Sequence, residues 1–228
     1  MWLCLGGMFA QAQSFEPRPL LDSLQRRINL VNDYQADVRI KLDVSFIRIP
    51  VRRARVFYKR PDKMRLKAKG FALLPKRGMQ FSLGNLLAKP YTAIWVRNEQ
   101  FQGQPCAVVK VIPLDDNPEV LMATLFIHRK AQRLCKAEGN TAAGGAFSIR
   151  FGYPDAPNPF DLPGTLEFTF DVNKMALPMG ITGDFDSERP SAKQKGPQRA
   201  TLQLLYSNYL VNKGIPESIF SEESAKTH

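Results

Sequence analysis

Between Asp37 and Phe46 the chain alternates without a break: Val38, Ile40, Leu42, Val44 and Phe46 are apolar, and Asp37, Arg39, Lys41, Asp43 and Ser45 between them are polar. A helix would scatter both sets around its surface. An extended strand, whose side chains point to opposite faces in turn, gathers them onto one dry and one wet side. Such a run commits the segment to a sheet with one buried face.

Upstream, from Pro17 to Tyr34, Leu20, Leu21, Leu24, Ile28 and Val31 fall mostly three and four apart, with Asp22, Gln25, Arg26 and Arg27 between them. This spacing predicts one amphipathic helix. Downstream of Pro50, Ala54, Val56 and Tyr58 predict a second strand, and Pro61-Asp62 a turn. A third strand follows, with Met64, Leu66 and Ala68 on one side and Arg65, Lys67 and Lys69 on the other. The pair reads as a hairpin with an apolar and a cationic face.

Phe71 to Pro90 mixes leucines with Pro75, Gly78 and Gly84 and is expected to be a loop with a short helix. Further strands are expected at Tyr91–Val96, Cys106–Ile112, Met122–His128, Gln132–Ala137 and Ala146–Phe151. Turn residues separate them at Asn98, Gly103, Asp115 to Pro118 and Gly144-Gly145. This regular spacing indicates an up-and-down antiparallel sheet. Four prolines between Gly152 and Gly164 predict an irregular loop. Leu166, Phe168, Phe170 and Val172 alternate again, and Leu202, Leu204 and Tyr206 give a last strand. Asp184 to Arg199 is polar and aperiodic, and Ser221 to His228 is expected to be a disordered tail.

The 228 residues suffice for one domain, expected over 13–220. Met1 to Ala12 carries no charge and ends in Ala10-Gln11-Ala12, a small-x-small cleavage pattern, although the usual positive start is missing. It is expected to be an export signal. Leu3 before Cys4 argues against a lipid anchor, and no apolar stretch approaches the ~20 residues of a spanning helix. The product is therefore expected to be soluble and exported. Cys106 and Cys135 fall on the first and third strands of a meander, about 9.5 Å apart, too far for a disulfide.

Signatures of catalysis are sparse. The two histidines, His128 and His228, cannot form a metal pair. The glycines from Gly139 to Gly145 lack the Lys-Ser/Thr of a phosphate loop, and no Gly-x-Ser-x-Gly elbow occurs. No catalytic residue, metal or cofactor is expected.

The net charge of +11 points to an anionic partner. Arg52, Arg53, Arg55, Lys59, Arg60, Lys63, Arg65, Lys67 and Lys69 crowd into eighteen residues against Asp62 alone. Few aromatics interleave them, and the export signal also argues against nucleic acid. Arg53, Arg55, Lys59, Arg60, Lys63, Arg65, Lys67 and Lys69 are therefore read as a docking surface for an anionic membrane or an acidic protein. The alternative is a solvated face of a basic protein.

Three stretches carry a resemblance. They are Leu24 through Val44, where helix runs into strand; Phe57-Tyr58-Lys59-Arg60-Pro61-Asp62-Lys63-Met64-Arg65-Leu66; and Phe168-Thr169-Phe170-Asp171-Val172 followed by Ala176-Leu177-Pro178. In this order the chain, from about Leu20 to Phe220, resembles the LolA-like family of outer-membrane lipoprotein carriers. The resemblance implies a mainly β, α+β fold: a strongly curved antiparallel sheet forming an incomplete barrel closed by one or more helices, around an apolar cavity. It implies a monomeric periplasmic carrier of lipid or lipoprotein acyl chains, or else a non-transporting envelope interaction or sensor domain. Wall candidates are Val38, Ile40, Leu42, Val44, Phe46, Val56, Met64, Leu66, Phe168 and Phe170, although the same periodicity serves ordinary core packing. The proline-rich loop and the polar insertion depart from the carrier pattern, and no lid-fixing arginine is assigned.

Overall fold

The computed structural model describes residues 15–44, 47–48, 50–68, 71–73, 83–116, 118, 120–142, 145–156, 158–171 and 199–221. The expected export signal, Phe46, Lys69, most of the polar insertion and the tail beyond Ser221 lie outside these residues.

Helix α1 spans Arg18–Asn29. Pro19 sits in its first turn, where a missing N–H costs nothing, and Arg26 and Arg27 complement the partial negative charge of its last turn. The expected helix ran to Tyr34, but the last residues belong to strand β1, Asp33–Val44. The Asp33 carboxylate accepts hydrogen bonds from the backbone N–H groups of Lys213 (3.1 Å) and Gly214 (3.2 Å). These bonds fix the start of β1 beside the end of the last strand.

The remaining strands are β2 Ile47–Arg48, β3 Arg52–Lys59, β4 Lys63–Ala68, β5 Phe71–Leu73, β6 Tyr91–Phe101, β7 Gln104–Pro113, β8 Val120–His128, β9 Arg133–Thr141, β10 Ala146–Gly152, β11 Thr165–Asp171 and β12 Arg199–Val211. A short helix α2, Leu83–Ala88, precedes β6. The predicted turn at Asn98 lies inside β6, which runs on to a two-residue turn at Gln102-Gly103. Both turn residues have positive φ, 50° and 74°, the backbone that matches the twist of a tight hairpin.

The strands form one antiparallel sheet in the order β5-β4-β3-β1-β12-β11-β10-β9-β8-β7-β6, with β2 paired to β1. The order explains the shape. β1 pairs with β12, so the two ends of the chain meet mid-sheet, while β5 and β6 are consecutive in sequence and lie at opposite edges. The barrel is left incomplete between them, and α2 lies in that crossover.

Leu20, Leu21 and Leu24 of α1 and Leu86 and Leu87 of α2 pack on Tyr91, Val109, Val111, Leu125 and Ile127. The three buried α1 leucines alone contribute about 5–9 kcal/mol. The helices thus cover the β6–β9 half of the inner face. On the other half Ala36, Val38, Ile40, Leu42, Val56, Phe170 and Leu202 form a second core. On the outer face Cys106 and Cys135 are free thiols, packed with Val108 and Phe126. Burial chiefly pushes the Cys106 thiol up to about 12.

Candidate ligand-binding cavity

Where the two cores meet, an apolar cavity of about 290 Å³ lies between α1 and the sheet. Leu24, Arg27, Ile28 and Val31 form one wall, from α1 and the turn after it. Tyr34, Tyr58, Met64, Leu166 and Tyr206 of the sheet face them. A third wall is the proline-rich loop, through Phe160, Asp161, Leu162 and Pro163.

That loop is built, although its sequence reads as irregular. The Asn158 side-chain oxygen accepts from the backbone N–H groups of Phe160 and Leu162, both at 3.1 Å, and its amide donates to the Leu162 carbonyl at 3.1 Å. Asp161 is thereby held at φ 51°. Its carboxylate accepts from Arg27 Nη1 at 2.7 Å, with Arg133 Nη1 at 3.5 Å. Helix, loop and β9 are tied together at one anion. Through this pair Arg27 links α1 to the loop.

Tyr34, Tyr58 and Tyr206 make the floor, and Tyr209 packs against them. Tyr34 stacks on Tyr58 with centroids 5.1 Å apart and meets Tyr209 edge-on at 5.5 Å, and Tyr206 stacks on Tyr209 at 5.7 Å. The Tyr209 hydroxyl donates to the Pro163 carbonyl at 2.8 Å. Among the described residues the Tyr34 and Tyr206 hydroxyls have no hydrogen-bond partner. Burial pushes the phenols of Tyr34, Tyr206 and Tyr209 well above their ordinary value, and for Tyr34 the neighbouring tyrosines raise it further.

Of the wall residues proposed from sequence, Met64 lines this cavity. Val38, Ile40, Leu42, Val56 and Phe170 are buried in the adjoining core, and Leu66 and Phe168 pack partly buried against it. The Val44 side chain and Phe46 lie outside the described residues. The tyrosines and the loop were missed. Tyr34 continues the β1 alternation by two steps, a signal hidden by assigning it to the helix.

The docking cations divide in two. Arg53 and Arg55 are exposed and Lys67 half-buried on the outer face. The cations at the hairpin tip are engaged by the chain itself. Lys59 and Lys63 pair with Glu217 at 2.7 and 2.6 Å, and Arg60 donates to the Asn29 carbonyl at 2.9 Å. Arg65 is fully buried and donates to the carbonyls of Ile219 (2.5 Å) and Ser221 (2.8 Å). Its reading as a docking contact is corrected, because the segment ending at Ser221 covers it.

A second, more open concavity near Lys136, Glu138 and Arg150 is charged and internally paired, Lys136 to Glu138 at 2.6 Å and Arg150 to Glu167. Among the described residues no group of three or more His, Cys, Asp or Glu could hold a metal ion. No helix among them is long and apolar enough to cross a membrane. The His128 ring accepts from the Ala131 N–H at 2.8 Å and so caps a turn.

No family model matches the chain, and no curated protein matches its sequence. Solved structures do match. A domain from Vibrio parahaemolyticus described as an outer membrane lipoprotein-sorting protein domain superposes with TM-score 0.58 at 15% identity, covering 93% of this chain and 100% of the other. The fold is LolA-like. A LolA superfamily protein from Nitrosomonas europaea gives TM-score 0.56 at 14% identity over 92% of this chain and 100% of its own. A DUF1329 family protein from Desulfovibrio piger gives 0.57 at 11% over 93% and 100%. The LolA-like half-barrel, helix-covered on one half of its inner face, is what places the cavity between α1 and the sheet.

Proposed function

We propose that this cavity shelters an acyl chain of a lipid or lipid-modified protein, and that the chain acts as a carrier in an exported compartment. The observation that carries the reading is the cavity itself, aliphatic on the α1 wall and aromatic on its floor, inside a fold shared with a lipoprotein-sorting domain. Burying about ten methylenes contributes about 8 kcal/mol, enough for about micromolar binding without any charged contact. The Tyr34 and Tyr206 hydroxyls supply donors for an ester or amide oxygen at the polar end of such a chain.

Size favours a second reading. A volume of about 290 Å³ lies at the low end for ligand pockets, which run from about 300 to 1,000 Å³. It suits one chain segment, so a multiply acylated cargo requires α1 to move away. A non-transporting envelope interaction domain has no such requirement.

Native mass spectrometry with lipid extraction, on protein purified from an exported compartment, tests both. A copurifying acylated species supports the carrier. Empty protein that also refuses added phospholipid and lipoprotein removes the carrier reading and leaves the interaction domain.

A further inference from the structure

Strand pairing brings onto the outer face, away from the cavity, cations that are distant in sequence. Arg39 of β1 lies directly opposite Arg53 of β3, and Arg55 of β3 directly opposite Lys67 of β4. Lys41 follows Arg39 on the same side of β1. Like charges at directly paired positions destabilise a sheet, so the fold gains nothing from this arrangement.

The anions nearby do not neutralise it. Asp37 is taken by Arg55 at 3.0 Å and by the Asn208 amide at 2.9 Å, and Asp43 stands near the end of β1. Among the described residues Arg39, Lys41, Arg53 and Lys67 make no ion pair. Arg39, Lys41 and Arg53 are exposed, and the Lys67 ammonium lies 5.5 Å from the Phe57 ring centre. The contrast with Lys59, Lys63 and Arg65, all engaged by the segment 214–221, defines the patch.

We propose that this face of β1, β3 and β4 docks on an anionic lipid bilayer. An acidic protein would also answer the charge, but an exposed apolar side chain stands beside the cations. Val51, just before Arg52 and Arg53, is 56% exposed. Exposed cations beside an exposed valine suit the interface, where charge meets headgroups and an apolar group enters the acyl boundary.

The test is cosedimentation of the full chain with phosphatidylcholine vesicles, with and without phosphatidylglycerol, at low and physiological ionic strength. The wild type binds the phosphatidylglycerol vesicles, more weakly as salt rises. Each neutralised cation should cost about fivefold, so Arg39→Gln with Arg53→Gln should weaken binding roughly 25-fold. The same double variant should melt no lower than wild type, because it removes a repulsive cross-strand pair. Equal binding to both vesicle types, no vesicle binding, or an unchanged double variant would overturn the proposal. Binding to polyglutamate but not to vesicles would overturn it in favour of an acidic protein. Neither substitution touches the cavity, so these outcomes are independent of acyl-chain binding.

Discussion

Arg27 of α1 and Asp161 of the proline-rich loop, both lining the cavity, meet at 2.7 Å. Their side chains are 42% and 20% exposed, and pairs this open to water contribute about 0.2–1 kcal/mol. The bond is therefore too weak to hold the fold, yet it is placed to hold the helix.

Arg27→Ala should lower global stability by less than about 1 kcal/mol while speeding amide exchange in α1 and the 158–164 loop. Hydrogen exchange read by mass spectrometry checks this. A uniform rise across the sheet would mean that the pair supports the whole structure instead.

All six tyrosines are shifted upward, chiefly by burial. Unfolded tyrosines ionise near 10.0, while the folded ones hold their protons to higher pH. Between those values the native state binds more protons than the unfolded one, so their contribution is whole below about pH 10 and falls as pH rises. Phenolate absorbance should lag behind free tyrosine and then rise together with loss of the strand circular dichroism signal. Smooth titration near pH 10 with the fold intact would contradict the buried cluster.

Arg65→Ala should remove the carbonyl anchors of the segment ending at Ser221 and cost about 2–4 kcal/mol, with proteolysis opening first in that segment. The neighbouring Glu217 carboxyl is held down to about 2 by hydrogen bonds from Lys59 and Lys63. Its contribution is present above the ordinary glutamate value of 4.5 and is lost as pH falls through about 2. Acid should therefore sensitise the same segment. Unchanged protease resistance in Arg65→Ala would refute the anchoring role.

Gly139 lies where β9 passes β8 at close range. A Cβ there would stand 2.6 Å from the Met122 carbonyl oxygen and 2.9 Å from the Phe147 ring. Gly139→Ala should cost about 1–3 kcal/mol in denaturant unfolding. A neutral result would mean that β8 and β9 separate easily.

Much of this fold is legible in the sequence because its information is local. The alternation at Val38, Ile40 and Leu42 gave the buried face of β1, and the Leu20, Leu21, Leu24 spacing gave the face of α1. Pairing is not local. Nothing along the chain places Arg39 beside Arg53, or brings the segment ending at Ser221 over Arg65. The cavity was harder still, because a face read as apolar contains both tightly packed residues such as Val38 and loosely packed ones such as Tyr206. Periodicity along the strand does not separate them. The proline-rich loop looked like an interruption because its order comes from the Asn158 side chain and from Arg27, 134 residues away from Asp161.

The central claim is that the space between α1 and the sheet is the acyl site, and filling it tests this most directly. Titration with a fluorescent long-chain fatty acid would compare wild type with Ile28→Trp and Leu166→Trp, one from each wall, and with the exposed control Leu210→Trp. The account predicts saturable binding to wild type and control, and a loss of about tenfold or more, about 1.4 kcal/mol, in both filled variants with the circular dichroism unchanged. Undiminished binding in the filled variants, or no saturable binding in wild type, would contradict it.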